Sequence, residues 1–237
     1  MSSAVPRYAI YFVPPADSVL YRFGSAVLGY DAYSGENVSH LPGFEAGHWR
    51  DIVREPRIYG FHATLKAPFA LVDGADEAGL IAAANAFAKG RESFAAGRLA
   101  VRELGSFIAL VPEAACPPLD GLAADCVRAF DLFRAPLDGY DRSRRLKSPL
   151  TPSQVENLDR WGYPYVFEEF RFHMTLTGAL PDGLRKKTFS TLRDNFAAAD
   201  HAQELRVTQI VVVRQSDRNA SFRVVAIIAL RGSVTAA

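Results

Sequence analysis

Four residues recur in this chain in one order and spacing. Phe61-His62-Ala63-Thr64-Leu65 and Phe172-His173-Met174-Thr175-Leu176 both read Phe-His-x-Thr-Leu. Imidazoles titrate near neutrality, so a neutral histidine and a protonated one facing the same substrate can take one proton and give another. A threonine hydroxyl two residues on can donate to an oxygen that gains charge during reaction. A single histidine in such a run is usually a solvent-facing or hydrogen-bonded side chain. Two with the same neighbours, in a chain of five histidines, make His62 and His173 candidate catalytic groups and Thr64 and Thr175 candidate anchors.

Both copies alternate polar and apolar residues, as a half-buried strand does. As strands they send Phe61, Ala63 and Leu65, or Phe172, Met174 and Leu176, towards a core. The opposite face carries His62, Thr64 and Lys66 in one copy and Arg171, His173, Thr175 and Thr177 in the other. Lys66 and Arg171 therefore share a face with their histidines and are candidate substrate contacts; the plain alternative for each is a salt-bridged surface cation. A cation beside His173 favours its neutral form, which points to His173 as base and His62 as acid.

The elements that would position these strands repeat as well. A β-rich run at 8–13 ends at Pro14 and leads to a helix capped by Asp17 or Ser18 and stopped near Gly29. Residues 30–57 read mostly as loop with a short helix around 49–54, and the first histidine strand follows, closed by Pro68. An Ala-rich helix spans 76–89, and strands at 98–104 and 106–111 turn at Gly105. The order then returns: a strand ending at Pro112, a helix over 119–133, a histidine strand at 170–177, a helix at 184–199 and a strand at 204–214, with a final strand at 220–230. The expected fold is α+β: two pseudo-symmetric lobes with antiparallel sheets flanked by helices, a duplicated strand–helix–His strand–helix–strand unit around a central groove. It forms one bilobal domain over 1–237, its repeats about 7–104 and 106–231.

The second half carries extra residues before its histidine strand. This insertion, about 134–150, holds Arg134, Arg142, Arg144, Arg145 and Lys147, the densest basic run in the chain. Guanidinium groups suit bidentate phosphate contacts, so Arg134, Arg144 and Arg145 are candidate substrate residues, whereas a charge run is ordinarily a solvated face. Thr151-Pro152 starts a helix to Trp161, and Trp161-Gly162-Tyr163-Pro164-Tyr165 turns the chain back. Tyr11 and Tyr163 are candidate platforms for a base or ribose, or ordinary core.

Composition sets the outer bounds. Lysine and arginine number 27 against 26 acids, a net charge of +1 that supplies no global field for a polyanion, so strong nucleic-acid binding is not expected. Two cysteines and no signal-like N-terminus fit a reducing cytoplasm. Apolar runs are too short for a membrane span. No His-Glu-x-x-His, cysteine pair or aspartate cluster suggests a metal, and no cofactor is expected.

The paired motifs resemble the two signatures of the 2H phosphoesterase superfamily. The match is closest to its phosphonate-metabolism branch, on Arg7-Tyr8-Ala9-Ile10-Tyr11-Phe12, Tyr59 to Phe69, Arg134-Ala135-Pro136 with Arg144-Arg145, and Trp161 to Tyr165 running into Phe172 to Gly178. The resemblance implies hydrolysis of a phosphodiester, often a cyclic phosphate on a ribose; with no metal motif and a balanced overall charge, the expected enzyme is a metal-independent phosphodiesterase acting on a small cyclic or ribosyl phosphodiester. His62 and His173 would be acid and base, with Thr64 and Thr175 on the phosphate. The expected partner is a small phosphorylated metabolite, and the expected state a monomer. The competing readings are an RNA 2′,3′-cyclic phosphodiesterase or ligase-like enzyme, a non-enzymatic RNA-binding module, and a structural subunit of a larger assembly.

Overall fold

The computed structural model describes residues 5–44, 47–199 and 205–232. In chain order its elements are β1 (Arg7–Phe12), α1 (Val19–Leu28), α2 (Gly47–Arg57), β2 (Ala63–Ala70), α3 (Glu77–Lys89), β3 (Phe94–Ala95), β4 (Leu99–Leu104) and β5 (Phe107–Pro112). There follow α4 (Pro117–Phe130), α5 (Gly139–Arg145), α6 (Pro152–Trp161), β6 (Met174–Thr175), α7 (Asp182–Ala198), β7 (Arg206–Val207), β8 (Gln209–Gln215) and β9 (Arg223–Ala229). The class is α+β.

β1 lies inside a four-stranded antiparallel sheet of order β2-β1-β8-β9, which explains why nearly all of its residues are apolar and buried. A second antiparallel sheet has the order β4-β5-β6, and β3 pairs with β7 as a short ribbon. In both larger sheets the histidine-motif strand bonds to the strand that opens its own half: β2 to β1, and β6 to β5. The third strand comes from the other half, β8 beside β1 and β4 beside β5. One apolar core joins the two, with Phe12 of β1 against Phe172 at 6.1 Å between ring centroids. β2 and β6 approach each other, which brings the two motifs together.

Local chemistry sets the ends of the helices. The Tyr21 amide donates to Ser18 Oγ at 3.1 Å and Gly29 takes φ +71°, so α1 starts and stops at these residues. Thr151 and Gln154 close a reciprocal capping box on α6, with Pro152 in its first turn. α2 exceeds the short helix expected around 49–54, because Trp49, Ile52, Val53 and Pro56 give it a buried face. The basic insertion holds α5, whose start is capped by Asp138.

Two strands differ from expectation. β2 runs through Pro68 to Ala70 instead of ending before the proline, because it is the edge strand of its sheet, with β1 on one side, and tolerates the missing N–H. The second motif strand, expected over 170–177, is reduced to Met174–Thr175. A 3-10 turn at Phe167–Glu169 precedes it, and afterwards the Leu176 and Thr177 amides both meet the Ile108 carbonyl, at 2.9 and 3.3 Å. The expected outer limits of the domain, and the start of the strand at 204, lie outside the described residues.

Candidate active site

Each motif histidine is held by the backbone behind it. His62 Nδ1 lies 2.9 Å from the Gly60 carbonyl and His173 Nδ1 lies 2.8 Å from the Arg171 carbonyl, in both cases two residues upstream. A carbonyl only accepts, so each Nδ1 carries the proton in the neutral ring and each Nε2 is left with a lone pair. For His62 that nitrogen is 3.1 Å from Thr64 Oγ1. Gly60 reaches this arrangement at φ +72°, packed so closely on Ala32 that a Cβ would lie 2.8 Å from the Ala32 methyl.

His62, Thr64, His173 and Thr175 line one cavity of about 380 Å³. A larger, more apolar cavity of about 610 Å³ adjoins it, sharing Thr64, Tyr163, Tyr165 and His173 and extending to Phe107, Phe167 and Phe170. His173 thus faces both spaces, and Phe107 lies 5.7 Å from its ring. Behind His62 lies Tyr11, ring centroids 3.8 Å apart and planes 23° apart. Loss of solvation pushes the His62 pKa down to about 4, with His173's charge adding to the shift and the Gly60 carbonyl opposing it. His173 is lowered from its ordinary value by burial, opposed by the Arg171 carbonyl.

The cations expected on the groove face divide. Lys66 is a correction: its side chain is 3% exposed, and Nζ donates to the Val127 carbonyl at 3.1 Å and Asp131 Oδ1 at 2.9 Å, under α4 and away from the histidines. The cause is a slip in the β1–β2 register on either side of Ile10, which faces Lys66, so Ala67 and not Lys66 lines the cavity after Thr64. The second copy does likewise. Thr177, four residues after its histidine as Lys66 is after His62, is fully buried; its Oγ accepts from the Ile108 amide at 3.0 Å and donates to the Gly178 carbonyl at 2.9 Å.

Arg134 is a second correction. It binds Asp131 through Nε at 2.8 Å and the Arg160 carbonyl at 2.9 Å, tying the insertion to the end of α6 outside the histidine cavity. Arg171 lines the apolar cavity and orients His173 through its carbonyl, so the expected bias of His173 by its charge is replaced by a backbone bond. Arg144 and Arg145 do line the histidine cavity, and the Arg145 guanidinium lies 4.7 Å over the Tyr163 ring. Tyr163 belongs to both cavities. Tyr11 reaches the cavity, yet its ring supports His62, so it is no free platform.

Sequence reasoning passed over Arg7 and Tyr59, both in the cavity wall. Arg7 shares strand parity with Tyr11, and that signal was available. Among the described residues no group of three or more His, Cys, Asp or Glu side chains is arranged to hold a metal, and no helix is long and apolar enough to cross a membrane. His40 bonds to the Ala26 carbonyl at 3.0 Å, and His48 is exposed on α2.

The family model described as "Protein of unknown function (DUF1045)" matches residues 64–223, and the chain belongs to that family. The match begins just after His62 and takes in the second motif. Among curated proteins, the chain is 38% identical over 226 residues to "Ribose 1,5-bisphosphate phosphokinase PhnN" of Janthinobacterium sp. (strain Marseille), covering 93% of this chain and 50% of that protein. It is 39% identical over 176 residues to the protein of the same name in Laribacter hongkongensis (strain HLHK9), covering 74% and 41%. The chain therefore spans half or less of the curated relatives it matches. Among solved structures it is similar to E. coli LigT complexed with 3′-AMP, with a TM-score of 0.45 and 14% identity over 96% of this chain and 99% of that one. It is also similar to a phosphoesterase, with a TM-score of 0.41 and 12% identity over 95% and 98%.

Proposed function

We propose that this protein hydrolyses a small phosphodiester, with His62 and His173 as the proton-transferring pair and no metal. The observation that supports this most is the matched setting of the two imidazoles: each Nδ1 proton is held by a carbonyl, and both rings line one cavity with a threonine beside each. The phosphodiester sits between the Nε2 atoms. Water attacks phosphorus as one Nε2 takes its proton; the ester bond opposite breaks as the other Nε2 protonates the departing oxygen. Thr64 and Thr175 donate to the non-bridging oxygens.

Burial and a neighbouring imidazole hold His62 neutral, so it is the base, the reverse of the role expected from Arg171. His173, facing the apolar cavity, is the acid for the ester oxygen on that side, and the arriving phosphate anion raises its pKa towards the protonated form. The resemblance to the phosphonate branch, together with relatives named for a kinase of ribose 1,5-bisphosphate, favours a ribosyl phosphodiester in phosphonate metabolism.

The test is steady-state kinetics on a ribose cyclic phosphate in excess EDTA. His62→Ala and His173→Ala should each lower kcat/KM by about 10²–10⁴-fold with the fold intact by circular dichroism. A folded variant with near wild-type kcat/KM would rule out the two-histidine mechanism. Loss of all activity in EDTA, restored only by a divalent ion, would rule out metal independence.

A further inference from the structure

The cavity holds more positive charge than one phosphodiester explains. A diester carries a single negative charge, and the two histidines and two threonines already surround a position for it. Arg7, Arg144 and Arg145 line the same space. Two neighbouring cations are engaged elsewhere: Arg142 grips Asp159 with two bonds at 2.7 and 3.0 Å, and Arg218, from the β8–β9 turn, grips Asp141 with two at 2.9 and 2.7 Å. Arg144 keeps only a 3.8 Å approach to that already shared Asp141. Arg7 donates at 2.9 Å to the neutral Gln215 amide oxygen and feels the charge of Asp141, with Arg144 and Arg218 as opposing cations. Arg145 has no carboxylate partner among the described residues and lies over Tyr163.

Two buried polar atoms of residues that line this cavity also lack a hydrogen-bond partner among the described residues, Tyr11 Oη and Arg145 Nε. Both are donors, and a buried donor left unsatisfied is costly enough that few persist without a reason. A single acceptor-rich group in the cavity would answer both, and a phosphate monoester offers three oxygens and close to two negative charges.

We infer that the substrate carries a second anionic group, a phosphate monoester, seated against Arg145, Arg7 and Tyr11 while the diester lies between the histidines. This rests on the phosphodiesterase reading and narrows it to a doubly phosphorylated substrate.

The test compares a ribose cyclic phosphate with the same compound phosphorylated at O5. The wild type prefers the doubly phosphorylated compound in kcat/KM by at least about 10–100-fold, the value of one or two charged hydrogen bonds. Arg145→Gln collapses that preference and Arg145→Lys restores part of it. Arg142→Gln, the same change of charge on the same helix at a residue held by Asp159, leaves the preference in place. Equal kcat/KM for the two compounds in the wild type, or a preference unchanged in Arg145→Gln, overturns the second-anion site while the phosphodiesterase reading stands. Hydrolysis of neither compound overturns both.

Discussion

Tyr11 lies almost flat against His62, ring centroids 3.8 Å apart, with its hydroxyl buried in the same cavity and without a hydrogen-bond partner among the described residues. The ring and the hydroxyl therefore do separable jobs. Tyr11→Phe keeps the stack and removes the unsatisfied group, so stability should hold or rise by about 1 kcal/mol. If the hydroxyl meets substrate, KM rises in the same variant. Tyr11→Ala removes a side chain that is 1% exposed and should cost about 3–5 kcal/mol. Urea denaturation beside kinetics checks the pair; a Phe variant that is clearly less stable than wild type would mean the hydroxyl has a structural partner.

The histidine pKa values set the pH profile. In the empty site a neutral His62 requires pH above about 4, and a protonated His173 requires pH below its own lowered value, itself under the ordinary 6.5. The kcat/KM profile should accordingly be bell-shaped with its maximum on the acid side of neutrality, and the kcat profile should lie higher because bound phosphate favours both protonated rings. A kcat/KM maximum at pH 8 or above would contradict this assignment.

Folding stability follows from the same shift. His62 binds a proton more readily unfolded than folded, so its contribution is complete above about pH 6.5 and is lost as pH falls towards 4. The loss is on the order of 2–3 kcal/mol. The lowered carboxylates Asp31, Asp131 and Asp141 lose their contributions only at lower pH. His62→Gln should reduce the slope of the stability curve between pH 6.5 and 4, leaving the part that the also lowered His173 contributes; an unchanged slope would place the responsible group elsewhere.

The motif made the histidines, the threonines and the strand between them legible in the sequence, because residue type and spacing carry that information. Alternation failed four residues after each histidine. Lys66 and Thr177 both turn inward, one through a register slip against β1 and the other through the shared Ile108 carbonyl. Such irregularities are set by the partner strand, which the local pattern cannot see. The exchange of β8 and β4 between sheets was hidden for the same reason, since pairing order is not written in segment periodicity. The basic run looked uniform, and only tertiary pairing separates Arg142, held by Asp159, from Arg145, which has no carboxylate partner among the described residues.

The Lys66–Asp131 pair supports the fold instead of the chemistry. Asp131 also binds Arg134, so Asp131→Ala leaves a buried ammonium and a mostly buried guanidinium without their carboxylate and should cost about 3–5 kcal/mol. Lys66→Met replaces the charge with an apolar chain of similar length, and its effect on stability should be small. Because Nζ lies outside the histidine cavity, Lys66→Met should keep kcat/KM within a few-fold of wild type, measured beside the urea midpoint. A folded Lys66→Met protein with a large loss of kcat/KM would return this lysine to the substrate.

The two threonines, alike in sequence, are not alike in the structure, and this separates their mutants. With Nδ1 protonated, His62 Nε2 accepts from the Thr64 hydroxyl at 3.1 Å, a bond that favours the neutral ring. Among the described residues no group hydrogen-bonds to the Thr175 hydroxyl, and it lines the cavity free to meet a phosphate oxygen. Thr175→Val should therefore lower kcat/KM by about 10–100-fold, for one lost donor, without moving the acid limb of the pH profile. Thr64→Val loses a donor too, and it also removes the bond that helps to keep His62 neutral, so its acid limb should move to higher pH. Profiles of kcat/KM from pH 4 to 8 for the two variants decide the matter. Identical limbs in both would show that Thr64 does not tune His62, and a shift confined to Thr175→Val would show that the base has been assigned to the wrong histidine.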